Sequence, residues 1–220
     1  MKIFAGILSI VASLCVGGSM VGLMITFEYP KIIRKDPVYI LKKISRAGKI
    51  VPFLFYIFGM GGFIIVFASI AFEQFECENG ETIFSQFALV SGIIYGVLLF
   101  IGILRYFKLF PQLAVLLKQQ KVTEKGARGI YQLVNMYVGE TICEHIAFLF
   151  LSVMILCNSI SLLTLKVVGN GLGIGGIVIA IGLLIGNTEF WGVKKAFIVN
   201  RIFSSLGAIW LFTIGFCLLI

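Results

Sequence analysis

Charge is scarce in this chain. Asp, Glu, Lys and Arg make up 13% of its 220 residues, about half the share of an ordinary soluble domain. With 60% apolar residues and a mean hydropathy of +1.07, that scarcity excludes a soluble globule and a disordered chain alike. Histidine occurs once, at His145, and none of the four prolines breaks an apolar run in mid-length. The cysteines Cys15, Cys77, Cys143, Cys157 and Cys217 form no C-x-x-C pair, so a thioredoxin-type redox motif and a structural zinc motif find no support. Four of them lie in or beside apolar runs as small hydrophobes. Cys77 sits in a polar loop, from which a bridge to Cys217 is conceivable. No polar stretch is long enough to fold as a nucleic-acid-binding domain, so the net charge of +8 concerns membrane topology and not nucleic acid.

What is present is long apolar runs. A bilayer core of about 30 Å needs roughly 20 residues of apolar helix. Charge-poor runs of that order occur at 3–27, 50–72, 82–104, 146–165, 167–188 and 202–220. The expectation is an all-α integral membrane protein, a bundle of six transmembrane helices with short loops, forming a single polytopic domain over 1–220. The first run follows Met1-Lys2 and resembles a signal peptide. It is longer than a usual signal core and no A-x-A site follows it, so it reads as a retained span.

Every Lys and Arg except Lys2 and Lys166 falls in three segments, 28–49, 105–145 and 189–201. Cytoplasmic loops collect cations, which predicts that these segments are cytoplasmic and that the N-terminus and C-terminus lie outside. The predicted location is a cell membrane, most simply the plasma membrane. The acids Glu73, Glu76, Glu78 and Glu81 fall in the opposite loop and agree with this placement.

Asp36-Pro37 is a helix start: Asp accepts from free amides and Pro suits the first helical position. Val38, Leu41 and Ile44 then follow helical spacing beside Lys42, Lys43 and Arg46. This predicts a short helix lying in the interface, with Lys42, Lys43 and Arg46 facing anionic lipid on the cytoplasmic side. A second interfacial helix is expected at Leu113–Leu117, followed by a turn at Gly126–Gly129.

Small residues four apart let membrane helices approach closely. Gly18 and Gly22 in the first span, and Gly171, Gly175, Gly182 and Gly186 in the fifth, are the expected packing positions. They would serve the bundle itself, a second copy of the chain, or another membrane protein. The glycines at 169–176 lack the spacing, strand and acidic partner of a dinucleotide fingerprint.

No ionisable residue lies in the middle of an apolar run. The nearest cluster is Glu140, Glu144 and His145, at the start of the fourth span. Two carboxylates a helical turn apart plus an imidazole can hold a divalent metal or act as acid and base. The favoured reading is an interfacial helix start, with these groups paired to nearby cations: the spacing is no named metal motif, and no other intramembrane acid or histidine would complete a site. No cofactor is implied. The leading expectation is a non-enzymatic membrane subunit or scaffold. The alternatives are a transporter or channel for a neutral or lipidic solute, and a lipid-directed membrane enzyme using Glu140, Glu144 and His145.

Overall fold

A computed structural model of the chain describes residues 1–80 and 82–220; Glu81 lies outside the described residues. All regular elements among them are helical. Six helices are long and apolar enough to cross a membrane. They are α1 (Lys2–Phe27), α3 (Ile50–Glu78), α4 (Ile83–Leu104), α7 (Ala147–Leu165), α8 (Asn170–Asn187) and α9 (Ala196–Leu219). Three shorter helices, α2 (Pro37–Ala47), α5 (Phe110–Lys118) and α6 (Glu124–Val134), cluster at one end. That end carries the three basic segments and is called the basic end below.

The long helices form a closed ring. α1 packs on α3, α3 on α4, α4 on α7, α7 on α8, α8 on α9, and α9 returns to α1. Neighbours in sequence are therefore neighbours in space, as short connections require. The outward faces are studded with exposed Ile, Leu, Val and Phe, from Ile3 and Phe4 on α1 to Phe216 on α9. Several hydroxyls inside the apolar helices bond back to their own backbone. Ser13 Oγ donates to Ser9 O at 2.8 Å and Ser152 Oγ to Phe148 O at 2.7 Å. Such bonds satisfy a polar group without water or a partner helix.

The expected packing glycines divide. Gly22 lies against Leu54, Gly182 against Phe203 and Gly186 against the Asn200 backbone, where no side chain would fit. Gly18, Gly171 and Gly175 have nothing within 4 Å of a Cβ position, so they do not pack this bundle. They point away from the bundle; the fifth span packs instead through Gly173 and Gly176, one strip further round. α3 and α4 cross backbone to backbone at Gly62 and Gly96; Gly92 and Gly96 are four apart on α4, and Gly92 lies against Ser69 of α3.

At the basic end, Asp36 caps α2 as expected, accepting from the amides of Val38 and Tyr39 at 2.9 and 3.3 Å. The apolar face of α2 does not lie on lipid. Ile40, Leu41 and Ile44 are buried, with α5 and α6 packed against the helix. Lys42 pairs with Glu124 at 2.7 Å, Lys43 pairs with Glu28, and Arg128 pairs with Asp36 at 2.7 Å. Of the three cations assigned to lipid, only Arg46 is both exposed and outside these pairs. Gly126–Gly129 is no turn but part of α6, whose first turn Thr123 caps through Gly126 N at 3.1 Å. An aromatic column ties the cluster to the ring. Phe55 stacks on Tyr106 with centroids 4.2 Å apart, Phe110 stacks on Tyr131 at 4.3 Å, and the Tyr106 and Tyr131 hydroxyls share a hydrogen bond of 2.9 Å.

At the opposite end α3 is longer than the apolar run implies. It continues through Glu73, Glu76 and Cys77, so these residues are helical and Glu76 is buried. The bridge from Cys77 to Cys217 does not form: no disulfide joins them, and Cys77 Sγ donates to Glu73 Oε1 at 3.2 Å.

Candidate functional site

The ring encloses a cavity of about 670 Å³. It starts at mid-length, at Ala12 of α1 and Ile65 of α3, and runs toward the basic end. Its deep part is apolar, with Phe58, Leu99, Ile103, Leu151, Met154 and Leu211 among the lining side chains. α8 supplies none of the lining among the described residues. The volume falls in the range of about 300–1,000 Å³ typical of a site for one small ligand.

The cavity changes character at the basic end. Lys31, Arg34, Arg105 and Arg201 line it there, against the acids Glu144 and Glu189. Four cations thus face two acids. Arg105 is the most deeply placed, with 7% of its surface exposed. It stands in a π-helical turn, Arg105–Leu109, that joins α4 to α5. Its guanidinium rests on Gly139, where a Cβ would lie 2.6 Å from Nη2. Its Nη1 donates to the carbonyl of Gly102, and its Nε has no hydrogen-bond partner among the described residues. No carboxylate lies within ion-pair distance of it among the described residues. Asn200 of α9 is also buried and also lines the cavity, and its Oδ1 likewise has no partner. Buried polar groups are almost always bonded, and a buried unpaired cation is costly. Both residues border the one cavity.

Arg34 and Arg201 both approach the ring of Phe197. Their guanidinium carbons lie 3.5 and 5.6 Å from the centroid of Phe197. Arg34 also pairs with Glu189 at 3.3 Å. Behind this mouth Glu28 binds Lys35 at 2.8 Å and also Lys43. These two ammonium groups hold the Glu28 carboxyl well below its ordinary range, at about 2.

The sequence cluster is pulled apart. It lies in a second π-helical segment, Asn135–Ile146, between α6 and α7. Thr141 Oγ1 donates five residues back, to Met136 O at 3.0 Å. Glu140 is exposed and accepts from Asn135 Nδ2 at 3.2 Å. His145 turns to α8, where Nδ1 meets Asn187 Oδ1 at 3.0 Å and its carbonyl accepts from Asn187 Nδ2 at 3.1 Å. Only Glu144 lines the cavity. Among the described residues no three His, Cys, Asp or Glu side chains come together as a metal site. π-helical turns inside long helices are often found at functional sites, and here both border the cavity.

Arg34, Arg105, Arg201 and Asn200 were not singled out by sequence reasoning. Each arginine looked like one more topology-setting cation. The available signal was position: Arg105 follows the third apolar run directly and Arg201 precedes the last one directly. That signal does not separate an inward cation from an outward one.

No family model, curated protein or solved structure matches the chain. The geometry therefore stands alone.

Proposed function

We propose that the chain lies in a membrane, basic end toward the cytoplasm, and holds an amphipathic lipid with an anionic head in its central cavity. The observation that carries this reading is Arg105, a buried cation without an ion-pair partner at the head of an apolar cavity. An anionic head offset by an apolar tail satisfies both halves of that site. The exposed apolar ring would face lipid tails, and the cations would face the anionic leaflet.

The side of the cavity supports access from the membrane. Val21 and Met24 on α1, and Arg201, Ser205 and Ile209 on α9, line the cavity and are also exposed on the outer surface. The two helices thus leave a lateral gap near the basic end. A lipid can reach the cavity through it without crossing the loops. The protein then acts as a lipidic-solute carrier or lipid-responsive subunit. An enzyme built on Glu140, Glu144 and His145 gains no support, because the three side chains face three different places.

Native mass spectrometry of protein extracted gently from its membrane tests this. The expected spectrum shows one anionic lipid per chain, lost in Arg105→Gln. Gly17→Phe is the second variant. Gly17 lines the cavity and has open space where a Cβ would stand, so Phe fills the cavity without a clash. It should expel the lipid while keeping the melting point of delipidated wild type. A lipid-free protein, or lipid kept equally by both variants, would overturn the reading. A co-purifying protein in place of lipid would favour the scaffold.

A further inference from the structure

Charge and geometry together narrow the head group. This step rests on the lipid-binding reading above and asks which anion the site is built for. The mouth holds Lys31, Arg34, Arg105 and Arg201 against Glu144 and Glu189, an excess of two positive charges. A carboxylate brings one negative charge and two oxygens, which a single arginine satisfies in a bidentate pair. A phosphate monoester brings about −1.5 to −2 and three acceptor oxygens. Only the second balances the site.

The placement of the arginines agrees. They come from three separate parts of the chain: Arg34 from the segment before α2, Arg105 from the π-turn after α4, and Arg201 from α9. Guanidiniums on three elements surround a tetrahedral head better than a planar one, whose donors would come from one side. Arg34 and Arg201 are both held against the ring of Phe197. Arg105 is held from below by Gly102 O and Gly139. Its Nε–H has no partner among the described residues, nor has Asn200 Oδ1, and both residues border the cavity. A glycerol hydroxyl next to the phosphate would donate to Asn200. The cavity volume of about 670 Å³ suits one acyl chain better than two.

We infer that the cavity is a site for a phosphomonoester head carried on a single acyl chain, gripped by Arg34, Arg105 and Arg201 with Asn200 receiving a hydroxyl. Phosphate is recognised by the arginines, and the tail by the apolar wall.

The test is a set of ligand-dependent melting shifts on the full chain, delipidated in mild detergent, since ligand bound only to the folded form raises its stability. The probes are oleoyl lysophosphatidic acid, oleate, glycerol phosphate and inorganic phosphate. The expected order places lysophosphatidic acid at least about tenfold tighter than oleate, with the two tail-less phosphates weaker still. Arg34→Gln and Arg201→Gln should each weaken lysophosphatidic acid about tenfold and oleate less than about threefold. Both side chains are at the mouth, so these variants test the site without disturbing the buried Arg105. Equal binding of oleate and lysophosphatidic acid would overturn the phosphate assignment and leave the lipid reading intact. Equal binding of glycerol phosphate and lysophosphatidic acid would overturn the lipid reading and leave a phosphate site. No binding by any probe would overturn both.

Discussion

Gly6 on α1 and Gly215 on α9 meet backbone to backbone: a Cβ on either would stand 2.8 Å from the carbonyl oxygen of the other. This contact closes the ring at the end opposite the cations. Toward the basic end the same two helices part, and Gly17 of α1, which lines the cavity, has nothing within 4 Å of a Cβ position. One helix pair thus provides a clasp and a gap. Without a hydrophobic driving force between helices in lipid, the clasp depends on close van der Waals contact.

Gly215→Leu should therefore be expensive. The side chain would meet the Gly6 carbonyl, Ser9 and Ile10, and overpacking of this kind costs about 1–3 kcal/mol. A lowered melting point in detergent, measured by intrinsic fluorescence, is expected. Gly17→Ala, on the same helix but with open space at its Cβ, should melt like the wild type. Equal melting of all three proteins would mean that the clasp does not hold the ring.

Gly139 acts on the site through Arg105. An added methyl would lie 2.6 Å from Nη2 and 2.9 Å from Cζ of that guanidinium. Gly139→Ala is expected to displace the guanidinium and weaken binding of a phosphate-headed lipid about tenfold, roughly the loss of one charge-assisted hydrogen bond. Binding of an uncharged lipid of the same tail should hardly change, because Gly139 is not among the residues lining the apolar wall. The split between the two ligands separates a positioning role from general loss of structure. If both fall together, Gly139 serves the fold and not the head-group site.

The helices were legible because hydropathy and length alone define them. All six apolar runs appear as helices, and the Asp36 cap was readable from two residues. The ring order was not legible, since each helix presents apolar residues on every face and no amphipathic stripe points inward. Glycine spacing does not say which neighbour a glycine faces. Gly171 and Gly175 satisfy the four-residue rule yet face outward, while the Gly6–Gly215 contact joins the two ends of the chain. The candidate site failed in a different way. Glu140, Glu144 and His145 are adjacent in sequence, but π-winding and the pull of Asn187 on His145 distribute them. The arginines that do meet are separated by up to 167 positions, from Arg34 to Arg201, and only tertiary structure brings them to one cavity.

The pH response of the mouth follows from Glu28. Its carboxyl falls from an ordinary 4.5 to about 2 through the hydrogen bonds from Lys35 and then Lys43. A group whose pKa is depressed by folding contributes stability above its unfolded value, and that contribution is lost as pH falls through the folded value. The Glu28 contribution is therefore complete above about pH 4.5 and disappears toward pH 2. Glu28→Gln should lower the melting point at pH 7, and the difference from wild type should shrink steadily below pH 4.5. The pair is solvent-exposed, so the effect is small and declines with added salt. Lys43 lies on α2 and Glu28 directly follows α1, so the same change should loosen the segment that carries Arg34. Hydrogen exchange of residues 29–36 reports this independently of melting. Unchanged exchange in Glu28→Gln at neutral pH would show that Lys35 and Lys43 do not fix the mouth.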